Sequence, residues 1–273
     1  MIMISELKNA NASITVYSDH FNRRIRIDDY DGDWNPMMEL ITEATPTWAE
    51  KLIVKTRAAE LNSFLKEGFI EEALVAKYFM GVDMHFVSRY FSVERQTSAK
   101  IREEEIIVKK IRATSFEKKD LDLSDVSFGT AEDAHELAHL YKQTFPIYPT
   151  PIRDPMYVRK TIEQGTLYCI IRDQKRIISA ASAEINSKYR NAELTDCATT
   201  AQVQGKGYIK KLLVALERKL TKDGIGCLYT LARSESYAMN NAFYQLGYTY
   251  GGRMTRNCMI YSGLEDMNVW YKN

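Results

Sequence analysis

Residues 191–220 read NAELTDCATTAQVQGKGYIKKLLVALERKL. Residues 191–199 are apolar and β-branched enough to predict a strand. Residues 202–207 predict a loop. Residues 208–220 place Ile209, Leu212, Leu213, Leu216 and Leu220 at helical spacing and predict an amphipathic helix. A glycine-rich turn entering a helix exposes several backbone N–H groups at the positive end of the helix dipole, which suits a phosphate or pyrophosphate. Gly205 and Gly207 let the backbone approach such a ligand closely.

Two common nucleotide-binding patterns do not fit. The Walker pattern needs four residues between its glycines, and only Lys206 separates this pair. The dinucleotide pattern G-x-G-x-x-G fails because Lys210 stands where its third glycine belongs. The pattern that does fit is Q-x-x-G-x-G, Gln202-Val203-Gln204-Gly205-Lys206-Gly207. It lies between a strand carrying Glu193 and a helix. A second strand, 227–232, and a second helix come next, and that helix ends in Asn241-Ala242-Phe243-Tyr244-Gln245-Leu246-Gly247-Tyr248.

This arrangement resembles the GCN5-related N-acetyltransferases, whose acetyl-CoA pyrophosphate loop carries the same hexapeptide pattern. The resemblance covers about 126–273 and implies an acyl-CoA N-acyltransferase fold of the α/β (α+β) class with a mixed central sheet. It implies acetyl-CoA as cosubstrate and no metal. It assigns backbone contacts along the pantetheine arm to Cys197, Ala198 and Thr199, and the pyrophosphate to Gln202, Val203, Gln204, Gly205, Lys206, Gly207 and Tyr208. Asn240 and Asn241 are expected beside the pantetheine, and Tyr244 as the acid that protonates the departing thiolate. Glu193 is similar to the general base of the histone-acetyltransferase branch. Deprotonating a lysine-like amine, with a pKa of about 10.4, costs roughly 4–5 kcal/mol at pH 7, and a nearby carboxylate can take that proton. In an ideal strand Asp196 faces away from Glu193, and a bulge would change that. Asp196 therefore stands as substrate-ammonium binder or alternative base.

The whole chain is similar to the β-lysine N-acetyltransferases, through YPTPIRDPMY, AELTDCAT and NCMIYSGLEDMNVWYK. That resemblance implies acetylation of the ε-amine of β-lysine to a compatible solute, with a pathway link to lysine 2,3-aminomutase. The substrate carboxylate then needs an arginine, for which Arg153 or Arg233 is expected. Asp196 or Glu265 is expected on the β-ammonium, and Tyr148 in the same pocket. The rival readings are another small amine, a protein lysine, or an acyl-CoA sensor that turns nothing over.

With 273 residues, 45% hydrophobic and 27% charged, the chain reads as a soluble globular protein of one large or two ordinary domains. The net charge of +1 implies no general attraction to nucleic acid or membranes. No apolar run reaches the ~18 residues of a membrane span, and MIMISELKNANAS lacks the form of a secretion signal. Cys169, Cys197, Cys227 and Cys258 are widely spaced in apolar contexts and read as reduced core residues of a cytoplasmic protein.

The expected division is an N-terminal α/β domain over 1–117 and an acetyltransferase domain over 126–273, with 118–125 as linker. In the first, strands are expected at 14–17, 24–28, 51–56, 72–79 and 84–90, with helices at 34–44 and 58–67. The charged stretch 93–125 contains Ile106-Ile107-Val108, open to strand or helix. FLKEGF, ending at Phe69, resembles the later FYQLGY, and Gly81 and Gly263 begin similar segments. Two explanations stand: an internal repeat whose first copy has lost its cofactor loop, or the coincidence of two common helix–glycine–aromatic endings. His135-Glu136-Leu137-Ala138-His139 matches H-E-x-x-H, a zinc-protease pattern, with Glu163 a conceivable third ligand. Ala134, Leu137, Ala138, Tyr141 and Phe145 form an ordinary apolar stripe beneath it, which favours a helix with an outward polar face.

Overall fold

The computed structural model describes residues 2–115, 120–261 and 263–273. The expected domain end at 117 and the first residues of the expected linker, 118 and 119, lie outside the described residues.

The chain opens with β1 (Ile2–Lys8), β2 (Ala12–Asp19), β3 (Arg24–Gly32), α1 (Trp34–Glu43), β4 (Lys51–Arg57), α2 (Ala58–Lys66), β5 (Ile70–Phe79) and β6 (Val82–Tyr90). A short α3 (Val93–Gln96) and α4 (Ile101–Arg112) lead to β7 (Val126–Phe128). Then come α5 (Ala134–Thr144), α6 (Pro155–Glu163), β8 (Leu167–Asp173), β9 (Arg176–Asn186) and β10 (Asn191–Thr199). The end is α7 (Tyr208–Lys222), β11 (Cys227–Arg233), α8 (Tyr237–Gln245), β12 (Thr249–Ile260) and β13 (Gly263–Lys272). Ile106-Ile107-Val108 resolves as helix, with Val108 and Ile111 buried and Ile106 exposed. The strand β1 has no counterpart in the sequence reading. It is an edge strand whose side chains are mostly exposed, so the apolar alternation that reveals half-buried strands is weak in it.

Among the described residues thirteen strands form one mixed sheet in the order β1-β2-β3-β4-β6-β5-β12-β13-β11-β10-β9-β8-β7. Both halves of it share one scheme. In the first, β1, β2 and β3 pair antiparallel, β3 runs parallel to β4, and β4, β6 and β5 pair antiparallel. In the second, β8, β9 and β10 pair antiparallel, β10 runs parallel to β11, and β11, β13 and β12 pair antiparallel. The halves meet where β5 pairs with β12. A Cβ on Gly251 would lie 2.1 Å from the Leu74 carbonyl oxygen, and one on Gly252 would lie 2.4 Å from that of Glu72. Only glycine lets the backbones close there.

In each half alternate residues of the central strand bury under helices. Ile25 and Ile27 of β3 pack with Met37, Leu40 and Ile41 of α1. Ala192 and Leu194 of β10 pack with Leu212, Leu213, Leu216 and Leu220 of α7, the stripe expected from the sequence. Burying each leucine contributes about 2 kcal/mol, an upper estimate. The other face of the C-terminal half is covered by α5 and α6 near β9 and β10. Over β11 and β13 it is covered by the N-terminal sheet, where Ile53, Val75, Met84 and Phe86 meet Tyr229, Met254 and Val269.

Candidate active site

β10 is irregular at the point that matters for chemistry. Its register with β9 shifts between Thr195 and Ala198, and Asp196 takes a left-handed φ of 50°. That bulge turns Asp196 to the same cavity as Glu193, although an ideal strand would put them on opposite faces. Asp196 is buried and accepts hydrogen bonds from the Tyr148 hydroxyl (2.8 Å) and the Ser182 hydroxyl (2.7 Å). Burial raises its pKa above the usual carboxylate value, and the nearby Glu193 charge adds to this.

β10 also separates from β11. Their parallel pairing runs only through Asn191, Ala192 and Glu193, opposite Cys227, Leu228 and Tyr229. Beyond it, β10 keeps its partners on the β9 side alone, at Leu194, Thr195, Ala198 and Thr199. This leaves the other edge of 194–199 facing a slot. Residues 201–203 form one 3₁₀ turn, Gln204 donates to the Thr199 carbonyl (3.2 Å), and Gly207 caps α7 with no side-chain hydrogen bond. Gly205 and Gly207 have φ of 80° and 81°, and nothing lies within 4 Å of where a Cβ would stand. Uncapped N–H groups at the head of a 15-residue helix, beside open space, fit the pyrophosphate of a coenzyme A ester. Tyr208 packs against the core beneath the loop.

A cavity of about 1040 Å³ extends from this slot to the N-terminal half. One wall carries three carboxylates: Glu193, Asp196 and Glu184, the last directly across the ladder from Glu193. Glu184 is exposed within the cavity, with protein walls close around it. Desolvation by those walls, with the charges of Glu193 and Asp196, pushes its pKa up to about 8. The opposite wall carries Tyr17, Arg26 and Lys55. Arg26 holds Asp28 through two hydrogen bonds, Nε to Oδ1 at 3.0 Å and Nη2 to Oδ2 at 2.6 Å. Lys55 Nζ donates to the same carboxylate at 3.0 Å and to the Tyr78 hydroxyl at 3.2 Å. Asp28 is thereby held well below the usual carboxylate range, the two cations outweighing its burial. None of Glu184, Arg26 and Lys55 stands out in a motif. A signal existed in the alternation Arg24-Ile25-Arg26-Ile27-Asp28, which sets three charged residues on one face of a strand.

Several expected residues stand elsewhere or are already engaged. Arg153 lies outside the main cavity; its Nη1 donates to the Pro146 carbonyl at 2.6 Å, because the proline-rich loop folds back on it. Arg233 reaches the cavity but grips Glu265 through two hydrogen bonds (2.5 and 2.8 Å) and stacks over Tyr261. The two residues expected to hold opposite ends of a substrate thus neutralise each other. Asn240 is fully buried. Its amide donates to the carbonyls of Arg233 and Ser236, and its oxygen accepts from Asn268 and Trp270, so it ties α8 to the sheet with no capacity left for pantetheine. Asn241 Oδ1 is buried with no hydrogen-bond partner among the described residues, as an acceptor awaiting a ligand amide would be. Tyr244 points away from the cavity. Its hydroxyl donates to the carbonyls of Arg112 (3.3 Å) and Thr114 (3.2 Å) after α4, while Phe243 forms the cavity wall, one residue and about 100° around the helix. This placement does not suit the acid role expected of Tyr244. Cys197 lines the cavity with its thiol pKa raised by burial, which makes it a poor nucleophile.

His135, Glu136 and His139 are on the exposed face of α5, where His139 pairs with Gln143 at 3.0 Å and Glu136 accepts from the Ile177 amide. Among the described residues no group of three His, Cys, Asp or Glu side chains is placed to hold a metal, and no helix is long and apolar enough to cross a membrane.

Residues 134–248 match the model of the acetyltransferase (GNAT) family. The chain is 36% identical over 273 residues to the N-acetyltransferase YodP of Bacillus subtilis (strain 168), covering 99% of each. It is 34% identical over 243 residues to a beta-lysine N(6)-acetyltransferase of Methanosarcina mazei, covering 81% of this chain and 90% of the relative. A protein of the same description from Methanococcus maripaludis is 34% identical over 225 residues, covering 81% of this chain and 82% of that one. Among solved structures, a Salmonella typhimurium acetyltransferase, yncA, with its cofactor acetyl-CoA covers 54% of this chain and 92% of its own, at 14% identity and a TM-score of 0.47.

Proposed function

The chain belongs to the GNAT family of N-acetyltransferases, and from that premise we propose that it transfers the acetyl group of acetyl-CoA to the ε-amine of β-lysine. The observation that carries this reading is the cavity between the halves, with three carboxylates on one wall and Arg26 and Lys55 on the other. A diamino acid brings two ammonium groups and a carboxylate, and each must exchange water for a partner inside such a space. A protein substrate would need an open groove, whereas here the N-terminal sheet covers the face of β11 and β13.

Acetyl-CoA supplies an activated acyl carbon. The amides at the head of α7 hold its pyrophosphate, and the open edge of β10 pairs with its pantetheine arm. Glu193 takes the proton of the incoming ammonium, directly or through one water. Asp196, held by Tyr148 and Ser182, keeps the cavity floor negative and orients the amine. A backbone amide of β10 near Ala198 donates to the carbonyl oxygen as it gains charge. The neutral amine attacks the acyl carbon while both substrates are bound; the carbon–sulfur bond then breaks, and the proton still carried by the new C–N nitrogen passes to the departing thiolate. The product carries one ammonium and one carboxylate, so its net charge is zero, which suits a compatible solute.

A panel of amines with acetyl-CoA, monitored by thiol release, tests the assignment. β-Lysine should exceed α-lysine, putrescine and lysine-containing peptides in kcat/KM, with the acetyl group on the ε-nitrogen. A diamine or a peptide as the better substrate overturns it.

A further inference from the structure

The N-terminal half covers the acceptor cavity with a charged surface that the acetyl-transfer chemistry does not use. On β3, Arg24, Arg26 and Asp28 share the face opposite the buried Ile25 and Ile27; on β4, Lys51, Ile53 and Lys55 share the corresponding face. Arg26 and Lys55 both line the cavity and both direct their charge at one carboxylate, Asp28. Two cations against one anion leave the cluster with one net positive charge. Its charged neighbour across the cavity is Glu193, beside which Glu184 keeps its proton, and the phenol of Tyr17 lies beneath the Arg26 guanidinium at 4.9 Å.

The geometry of Arg26 adds direction to that charge. Its Nε and Nη2 are committed to Asp28, while Nη1 makes no hydrogen bond among the described residues. A guanidinium gripped along one edge is rigid and presents its other edge as donors to a planar oxyanion. The Lys55 ammonium has three donors and uses two, on Asp28 and Tyr78. We propose that Arg26 and Lys55 form the subsite for the carboxylate of the acceptor, so that the N-terminal half selects an amino acid over a plain diamine. Asp28 holds the two cations in place, and the carboxylates of Glu193 and Asp196, with the carboxyl of Glu184 beside them, take the ammonium end. The arrangement replaces the role expected of Arg153 and Arg233, which the proline loop and Glu265 occupy. It rests on the β-lysine reading above and deepens it.

The test uses a matched pair of acceptors, β-lysine and 1,4-diaminopentane, the latter being β-lysine without its carboxyl group. The quantity read is the ratio of their kcat/KM values, in the full-length wild type and in Arg26→Gln and Lys55→Gln. Wild type should prefer β-lysine. In each variant that preference should fall about 10- to 100-fold, the usual effect of removing a charged hydrogen-bond partner. Most of the fall should lie in KM for β-lysine, with KM for acetyl-CoA retained as evidence of an intact fold. Arg26→Lys, which keeps the charge and loses the fork, should recover part of it. If both acceptors lose activity equally in the variants, Arg26 and Lys55 act on Glu193 or on the fold, and the subsite is refuted while the β-lysine reading stands. If wild type shows no preference for the carboxylate, both are overturned.

Discussion

Arg26 and Glu193 hold the same place in the two halves and carry opposite charges. Each is the third residue of a central strand, paired at the third register position with the parallel neighbour, Ile53 in one half and Tyr229 in the other. Each stands on the face away from the helix that follows its strand, α1 in one half and α7 in the other. The halves differ in the segment that joins this strand to its helix. Between β3 and α1 stands only Asp33, whereas residues 200–207 separate β10 from α7. Gly32, with φ of 108° and its would-be Cβ 2.1 Å from the Asn11 carbonyl oxygen, runs the first strand almost directly into its helix. Where β3 and β4 part, Tyr30 fills the gap, bonding the Thr56 hydroxyl at 2.7 Å and accepting from the Arg57 amide. The same strand order thus makes an open slot in one half and a closed wall in the other. We infer that the halves, 1–117 and 126–273, arose as copies of one unit, the first having lost its cofactor loop.

The comparison is broken most severely at the loop the first half lacks. Gly207→Glu adds a side chain where φ is left-handed and a negative charge where phosphates belong. Acetyl-CoA binding should become undetectable by calorimetry, and Gly205→Glu should behave likewise. Micromolar affinity in both variants would show that the loop is an ordinary surface turn.

Next in size is the strand position itself. Glu193→Gln keeps the shape and removes the proton acceptor, and kcat should fall about 10²- to 10⁴-fold with acetyl-CoA binding unchanged. A larger fall in Asp196→Asn than in Glu193→Gln would move the base to Asp196 and make Glu193 the ammonium binder.

A smaller effect concerns Glu184, which lies across the ladder from Glu193 where the N-terminal half sets Tyr17 across from Arg26. A glutamate in the unfolded chain titrates near 4.5, while in the folded cavity this one holds its proton to about 8. The folded state therefore binds more protons between those values. The stability Glu184 contributes is fully present below the unfolded pKa and is lost as pH rises through the folded one. Glu184→Gln removes the titration, so its Tm should decline less than that of wild type across this window. Parallel Tm profiles in the two proteins would mean that Glu184 ionises normally.

What the sequence made legible was local. The leucine stripe of α7, the glycines of its loop and the acidic strand before it are short-range patterns, and each appears where spacing placed it. The turning of Asp196 into the cavity was not legible, because the bulge arises from the register with β9. Nor was the engagement of Arg233 by Glu265, which are 32 residues apart, or the pairing of Arg26 with a wall formed by β9 and β10. The first depends on the pairing of β11 with β13, and the second on how the two halves of the sheet join at Gly251 and Gly252. The alternation in β3 announced a charged face without saying what it faced.

The smallest effect is expected at Tyr244, and it separates sequence likeness from placement. A helix turns about 100° per residue, so adjacent residues cannot both face the slot. Phe243 does, fully buried, and Tyr244 lies outward against Trp270 with its hydroxyl on the carbonyls that end α4. α2, the matching helix of the N-terminal half, has Phe64 as its buried aromatic, packed against Phe69. In both halves, then, a phenylalanine near the end of the helix faces inward. Tyr244→Phe removes one hydroxyl proton shared between two partly exposed carbonyls, worth about 1 kcal/mol in stability. Turnover should stay within about threefold of wild type, and Tm should drop by a few degrees at most. Should kcat instead fall about 100-fold while both KM values hold, the hydroxyl must leave Arg112 and Thr114 during the reaction to reach the leaving sulfur. The segment after α4 would then be a moving part of the active site, and the resemblance at this position would extend to chemistry as well as to sequence.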